Sequence, residues 1–170
     1  MYAENFFVKI ADRGPLITCI MERLSSPPDL PGKQPAWGLD LAYDLKLATD
    51  QNRRIAISPV VDGWVAGIES RQVLDLRLLQ NLSERLEVDV LACQISTSVD
   101  YFGYARCVRG EVVEVDCKIE GAEDPVSAVR AFLQRHLVPF NLTKFQEAIR
   151  SGWDVLQASK RLPEYGDGDA

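Results

Sequence analysis

A single histidine, four cysteines, one arginine inside an apolar strand and a run of carboxylates are the residues of this chain whose types could do chemistry. His136 stands among Phe132, Leu133 and Leu137, with no cysteine or second histidine at ligand spacing. General-base work also needs an aligned acid and nucleophile, so His136 reads as a partly buried structural residue. Cys19, Cys93, Cys107 and Cys117 are widely separated. They read as small buried hydrophobes of a reducing compartment, because a disulfide framework belongs to short secreted chains. A zinc site on Cys93, Cys107, Cys117 and His136 would need the fold to converge four distant positions, whereas structural zinc ligands come in close pairs. No metal and no cofactor is therefore expected. The chain holds no phosphate-binding glycine loop, no dinucleotide fingerprint and no nucleophile elbow. No catalytic residue is assigned, and the chain is read as a non-enzyme.

The carboxylates carry more. Glu111, Glu114, Asp116, Glu120, Glu123 and Asp124 crowd one strand and the loop after it, opposed by Lys118 alone. Like charges so close repel unless water or a cationic partner screens them, so this is either a solvated face or an electrostatic docking surface for a basic protein. A net charge of −6 argues against general nucleic-acid affinity, which needs clustered Lys and Arg. Arg106 falls on the apolar face of its strand. It requires a carboxylate or carbonyl partner, or else serves as an anion anchor.

The elements that must position these groups are legible from periodicity. Phe6 to Ala11 reads as a strand, residues 12–15 as a turn, and Leu16 to Leu24 as a helix in preference to a strand. Residues 25–37 hold four prolines and read as an exposed loop. Trp37 to Ala48 alternates apolar and polar residues, the mark of a half-buried strand. Arg54 to Ser58 and Trp64 to Ile68 are strands joined through Asp62-Gly63, a favoured hairpin dipeptide. Ser70 caps a helix over 71–86 whose Leu74, Leu78, Leu82 and Leu86 form the inner stripe.

Val88 to Thr97 is apolar on both faces and reads as a central strand. Tyr101 to Val108 and Glu111 to Ile119 form a hairpin about Arg109-Gly110. With that loop Arg106 opposes Val113, Tyr104 opposes Val115 and Phe102 opposes Cys117. Val113, Val115 and Cys117 then face a helix, while Glu114 and Asp116 face outward. A four-residue loop, since Arg-Gly is not the most favoured two-residue turn, would shift the register and expose Arg106. Asp124 and Pro125 open a helix lined by Val126, Val129, Leu133 and Leu137. A last helix is expected from Thr143 to about Leu162, with Phe145, Ile149, Trp153 and Leu156 inward.

The fold class that follows is α+β: one domain over 1–162, an antiparallel sheet of about five to seven strands packed against helices, and an acidic tail at 163–170. The opening residues show no basic or long apolar leader, and no window reaches the roughly eighteen apolar residues of a membrane span. A cytoplasmic protein, bound neither to membrane nor to nucleic acid, is expected.

The stretches Ile57-Ser58-Pro59-Val60-Val61-Asp62-Gly63-Trp64 and Asp100-Tyr101-Phe102-Gly103-Tyr104 resemble those of bacterial immunity proteins, which neutralise toxins of interbacterial competition. The resemblance covers about residues 54 to 120 and carries over no residue position by position. It implies a cytosolic protein that binds and occludes a cognate toxin. The expected contact is the acidic segment, with Asp62, Trp64 and Tyr101 as neighbours. Two other readings stand beside it. One is a ligand-binding protein or enzyme with Arg106 as anchor and Trp64 or Tyr104 as a pocket wall. The other is a subunit of a larger assembly, marked by an exposed apolar patch.

Overall fold

Phe6, Phe7 and Val8 are consecutive and apolar, a pattern that suits only a strand covered on both faces. In the computed structural model, which describes residues 2–25, 54–70, 76–97, 101–118 and 124–157, they lie near the middle of a seven-stranded antiparallel sheet. Its strands are β1 (Tyr2–Lys9), β2 (Arg54–Ile57), β3 (Trp64–Glu69), β4 (Asp89–Ser96), β5 (Tyr101–Val108), β6 (Glu111–Lys118) and β7 (Asp154–Gln157), in the order β6-β5-β4-β1-β3-β2-β7. Four helices accompany it among the described residues: α1 (Arg13–Ser25), α2 (Leu76–Leu86), α3 (Pro125–Arg135) and α4 (Phe145–Arg150).

The expected α+β architecture holds, with helices on both faces. On one face α1 and α2 close over Phe6, Val8, Val65, Val90, Ala92 and Ala105. On the other α3 closes over Phe7, Trp64, Leu91, Cys93 and Phe102, and α4 packs Phe145 and Ala148 on Ala56 and Ile68. The α2 stripe is core as its period requires: Leu78, Leu79 and Leu82 are buried and Leu86 is half-buried. Leu74 and the start of that helix lie outside the described residues, as do the proline-rich loop, the strand read over 37–48 and the tail at 163–170. No helix among the described residues is long and apolar enough to cross a membrane.

Both two-residue turns place two successive residues at positive φ, Asp62 at 50° and Gly63 at 76°, Arg109 at 52° and Gly110 at 82°. That pair of angles matches the right-handed twist of the strands it joins. Asp124 caps α3: its Oδ1 accepts from Val126 N at 3.2 Å and its Oδ2 from Ser127 Oγ at 2.6 Å.

Four expectations need correction. The last helix does not reach Leu162. It ends at Arg150, where Gly152 adopts φ 81° and Trp153 N donates back to Ala148 O at 3.1 Å, a left-handed cap that stops a helix. Asp154–Gln157 then pairs with β2 as an edge strand. Leu137 does not line α3. It sits just beyond the helix at φ 57°, 81% exposed, while Val138 N reaches back to Leu133 O at 3.0 Å. Cys117 is exposed, unlike the other three cysteines.

The fourth correction concerns the β5–β6 hairpin. It starts in the expected register, Val108 with Glu111 and Cys107 with Val112, but Arg106 then opposes Glu114 and not Val113. Val113 is the extra residue of a bulge. Because side chains alternate, a slip of one residue turns the whole remaining strand over. Glu114 and Asp116 therefore join Arg106 and Tyr104 on the α3 face, and Val115 and Cys117 join Ala105 and Gly103 on the other.

Candidate functional site

β6 pairs with β5 on one side only among the described residues, so its outer edge presents backbone donors and acceptors with no described partner. The two faces beside that edge differ sharply. On the α3 face Glu114 is half-buried between two basic side chains: Oε1 accepts from the Arg135 guanidinium, and Oε2 lies 3.1 Å from His136 Nε2. Tyr104 stacks on Phe132 at 4.1 Å, and its hydroxyl donates to Asp116 Oδ2 at 3.4 Å. Phe132 in turn carries His136 edge-on at 4.9 Å and the Arg135 guanidinium at 5.6 Å. A carboxylate facing an aromatic layer is tolerable there because α3 brings a cation to meet it.

On the other face α2 packs over β5 and reaches β6 at the hairpin turn and Val112. Gln80 Nε2 donates to Gly110 O at 3.2 Å, and Gly110 N donates to Ser83 Oγ at 3.3 Å. Beyond Val112 this face of β6 is open among the described residues: Val115 is 56% exposed and Cys117 is exposed, and the bulge residue Val113 is 52% exposed. Glu111 and Asp116, on the α3 side of the strand, are exposed.

The expected contact residues are thus only partly brought together. Glu111, Glu114 and Asp116 share β6, but Glu114 is engaged by α3. Asp124 is engaged as the cap of α3, and the Ser127 hydroxyl, aided by the backbone amides of Val126 and Ser127, holds its carboxyl below the usual carboxylate range. Glu120 and Glu123 lie outside the described residues. Asp62 is exposed at the β2–β3 turn, while Trp64 is 4% exposed, a core residue under Lys9, whose Nζ is 6.0 Å from the ring. That turn is four strand spacings from β6, roughly 19 Å across the sheet. Tyr101 begins β5 opposite Ser96, and its side chain is outside the described residues.

Arg106 has the carboxylate its position demands, Nη2 lying 2.7 Å from Asp89 Oδ2. Its Nε is buried without a partner. It lines neither of two open clefts. One, of about 550 Å³, lies between α1 and α2 and is lined by Arg23, Arg77 and Arg85 with Gln80 and Asn81. The other, of about 490 Å³, lies between α3 and residues 138–142 and is lined by Val129, Leu133, Phe140 and Leu142. Among the described residues no group of three His, Cys, Asp or Glu is placed to hold a metal ion.

Sequence reasoning missed Arg135 and His136 as partners of the acidic strand. A signal existed: both stand at the end of a helix whose start was legible, and basic residues favour helix C-termini. It also missed Val115 as a surface residue, because a valine in an alternating strand reads as core. No protein-family model matches the chain, and neither a curated protein nor a solved structure matches it.

Proposed function

We propose that the protein is a non-catalytic binding module of the immunity type, which engages a basic protein toxin through the β6 edge and occludes it. The observation that carries this reading is the composition of that edge. Exposed Val113 and Val115 stand on an open edge strand whose rim carries Glu111 and Asp116. An open edge strand with carboxylates toward one face and apolar side chains toward the other offers a partner both kinds of contact, and the carboxylates select a basic partner and speed its approach. Cytoplasmic residence follows from the same proposal, since an immunity protein meets its toxin inside the cell it protects.

Charge reversal at Glu111 and Asp116 tests it without touching Glu114, whose ion pair with Arg135 and contact with His136 tie α3 to the sheet. A partner captured from the native host should associate with Glu111→Lys/Asp116→Lys about tenfold more slowly at low salt, and the salt dependence of the rate should flatten. An unchanged rate and salt slope would remove this edge as the docking surface. The ligand-pocket alternative draws on the buried Nε of Arg106, but that guanidinium is already committed to Asp89.

A further inference from the structure

We infer that the partner is bound by strand addition: an extended segment of alternating basic and apolar residues pairs with β6 as an eighth strand. The inference rests on the docking reading above and goes beyond it, since side chains alone could make that contact without any backbone pairing. Three features point to pairing. β6 is eight residues long and, among the described residues, stands at the end of the sheet with β5 on one side, so its outward N–H and C=O groups, regular from Glu114 to Lys118, form a template for a further strand. After the bulge its side chains alternate in character as well as in direction. Glu114 and Asp116 point to the α3 face, whereas Val115 and Cys117 point to the opposite face and are exposed.

A strand laid against β6 inherits that alternation, because neighbours across a ladder share a face. Its residues on the α3 face would meet exposed Asp116 and the Glu114 that Arg135 already engages, and its residues on the other face would meet Val115, so the fitting sequence has period two, basic then apolar. A second copy of this chain is a poorer occupant. Antiparallel β6 against β6 centred on Val115 sets Glu114 of each copy against Asp116 of the other, and like charges directly opposite destabilise a pair. Backbone pairing supplies affinity here and the alternating side chains supply selection.

The test uses the full chain and synthetic peptides. The probe is Lys-Val-Lys-Val-Lys-Val-Lys, the control is the same composition in blocks, Lys-Lys-Lys-Lys-Val-Val-Val, and two further probes carry N-methyl groups on every valine or on every lysine. In a ladder only alternate residues turn their amides toward the neighbour. Strand addition therefore predicts that one N-methylated probe loses binding and the other keeps it. The alternating peptide should bind about tenfold more tightly than the block peptide, and amides within 114–118 should gain hydrogen-exchange protection.

Equal binding by all four peptides would overturn strand addition and leave the charged docking surface standing. Failure of every peptide to bind would likewise overturn strand addition, and the charge-reversal kinetics on the captured partner would then decide the docking reading separately. Protection of 114–118 that depends on protein concentration and not on peptide would overturn it in favour of self-pairing.

Discussion

Gly67→Ala offers the sharpest check on the packing that holds β1 and β3 together. Gly67 lies opposite Phe6 across the ladder, and a Cβ built on it would stand 2.0 Å from Phe6 Cζ, with both Cε atoms also within 2.6 Å. The ring therefore occupies the space a side chain at 67 would need. To regain a van der Waals separation of about 3.5 Å the ring must withdraw by roughly 1.5 Å. Phe6 is 3% exposed within a core that includes Val8, Leu16, Ile20 and Leu82, so it has nowhere open to go.

Over-packing of this kind costs about 1–3 kcal/mol, and the depth of the overlap places Gly67→Ala at the upper end. In a chain of this size that is a fall in Tm of roughly 6–12 °C. The sign is diagnostic, because alanine in a strand interior that meets no obstacle is favoured over glycine by about 0.5–1 kcal/mol. Chemical denaturation of wild type, Gly67→Ala, Phe6→Leu and the double variant closes the cycle. The shorter side chain in Phe6→Leu should relieve the clash, leaving the double variant about 1–2 kcal/mol more stable than the sum of the single losses. A stabilised Gly67→Ala, or additivity within about 0.5 kcal/mol, would refute the stacked-ring account.

Two other perturbations test local features. Leu137→Gly should stabilise the chain by about 0.5–1 kcal/mol in urea titrations, because glycine adopts a positive φ without the clash of a Cβ and Leu137 is 81% exposed, so little buried surface is lost. An aromatic thiol reagent at pH 8 should find Cys117 alone in the native protein and all four cysteines after denaturation. Burial pushes the Cys107 thiol up to about 11 and the Cys93 thiol well above its ordinary value, so neither forms thiolate in the fold at that pH. The linkage runs the same way: the unfolded chain loses the Cys107 proton first, so stability falls as pH rises from about 9 towards 11. Replacing Cys107 by valine should flatten that part of the profile.

Much of the fold was legible because its signals were local. The apolar runs of β1 and β4, the leucine stripe of α2, the Asp124-Pro125 opening of α3 and the Asp62-Gly63 turn each state their own conformation within a few residues. The misreadings arose where a competing pattern continued across a break. Phe145, Ile149, Trp153 and Leu156 keep a helix-like spacing past Gly152, yet the glycine ends the helix and the bare edge of β2 recruits the next four residues as β7. Leu137 continues the spacing of Val126, Val129 and Leu133 past the end of α3, where His136 already caps the helix. The site was harder still. No glycine marks the bulge at Val113, and nothing local distinguishes a valine that faces a helix from one that faces water.

The bulge is where sequence, packing and proposed function meet. Without it, Val113, Val115 and Cys117 would face α3, while Glu114 and Asp116 would turn to the face that α2 covers near the turn. With it, the carboxylates face α3, and the cost of setting Glu114 against Phe132 and Tyr104 is offset by Arg135 and His136. Val115 and Cys117 are released to the other face, where both are exposed. An extra residue also bends and twists a strand, so the regular edge left for pairing is the segment from Glu114 to Lys118. A chain that needed only a quiet edge would place charge on both faces of it. This one places charge on one face and apolar surface on the other, and that asymmetry distinguishes an edge built to receive a complementary strand from an edge built to repel every strand.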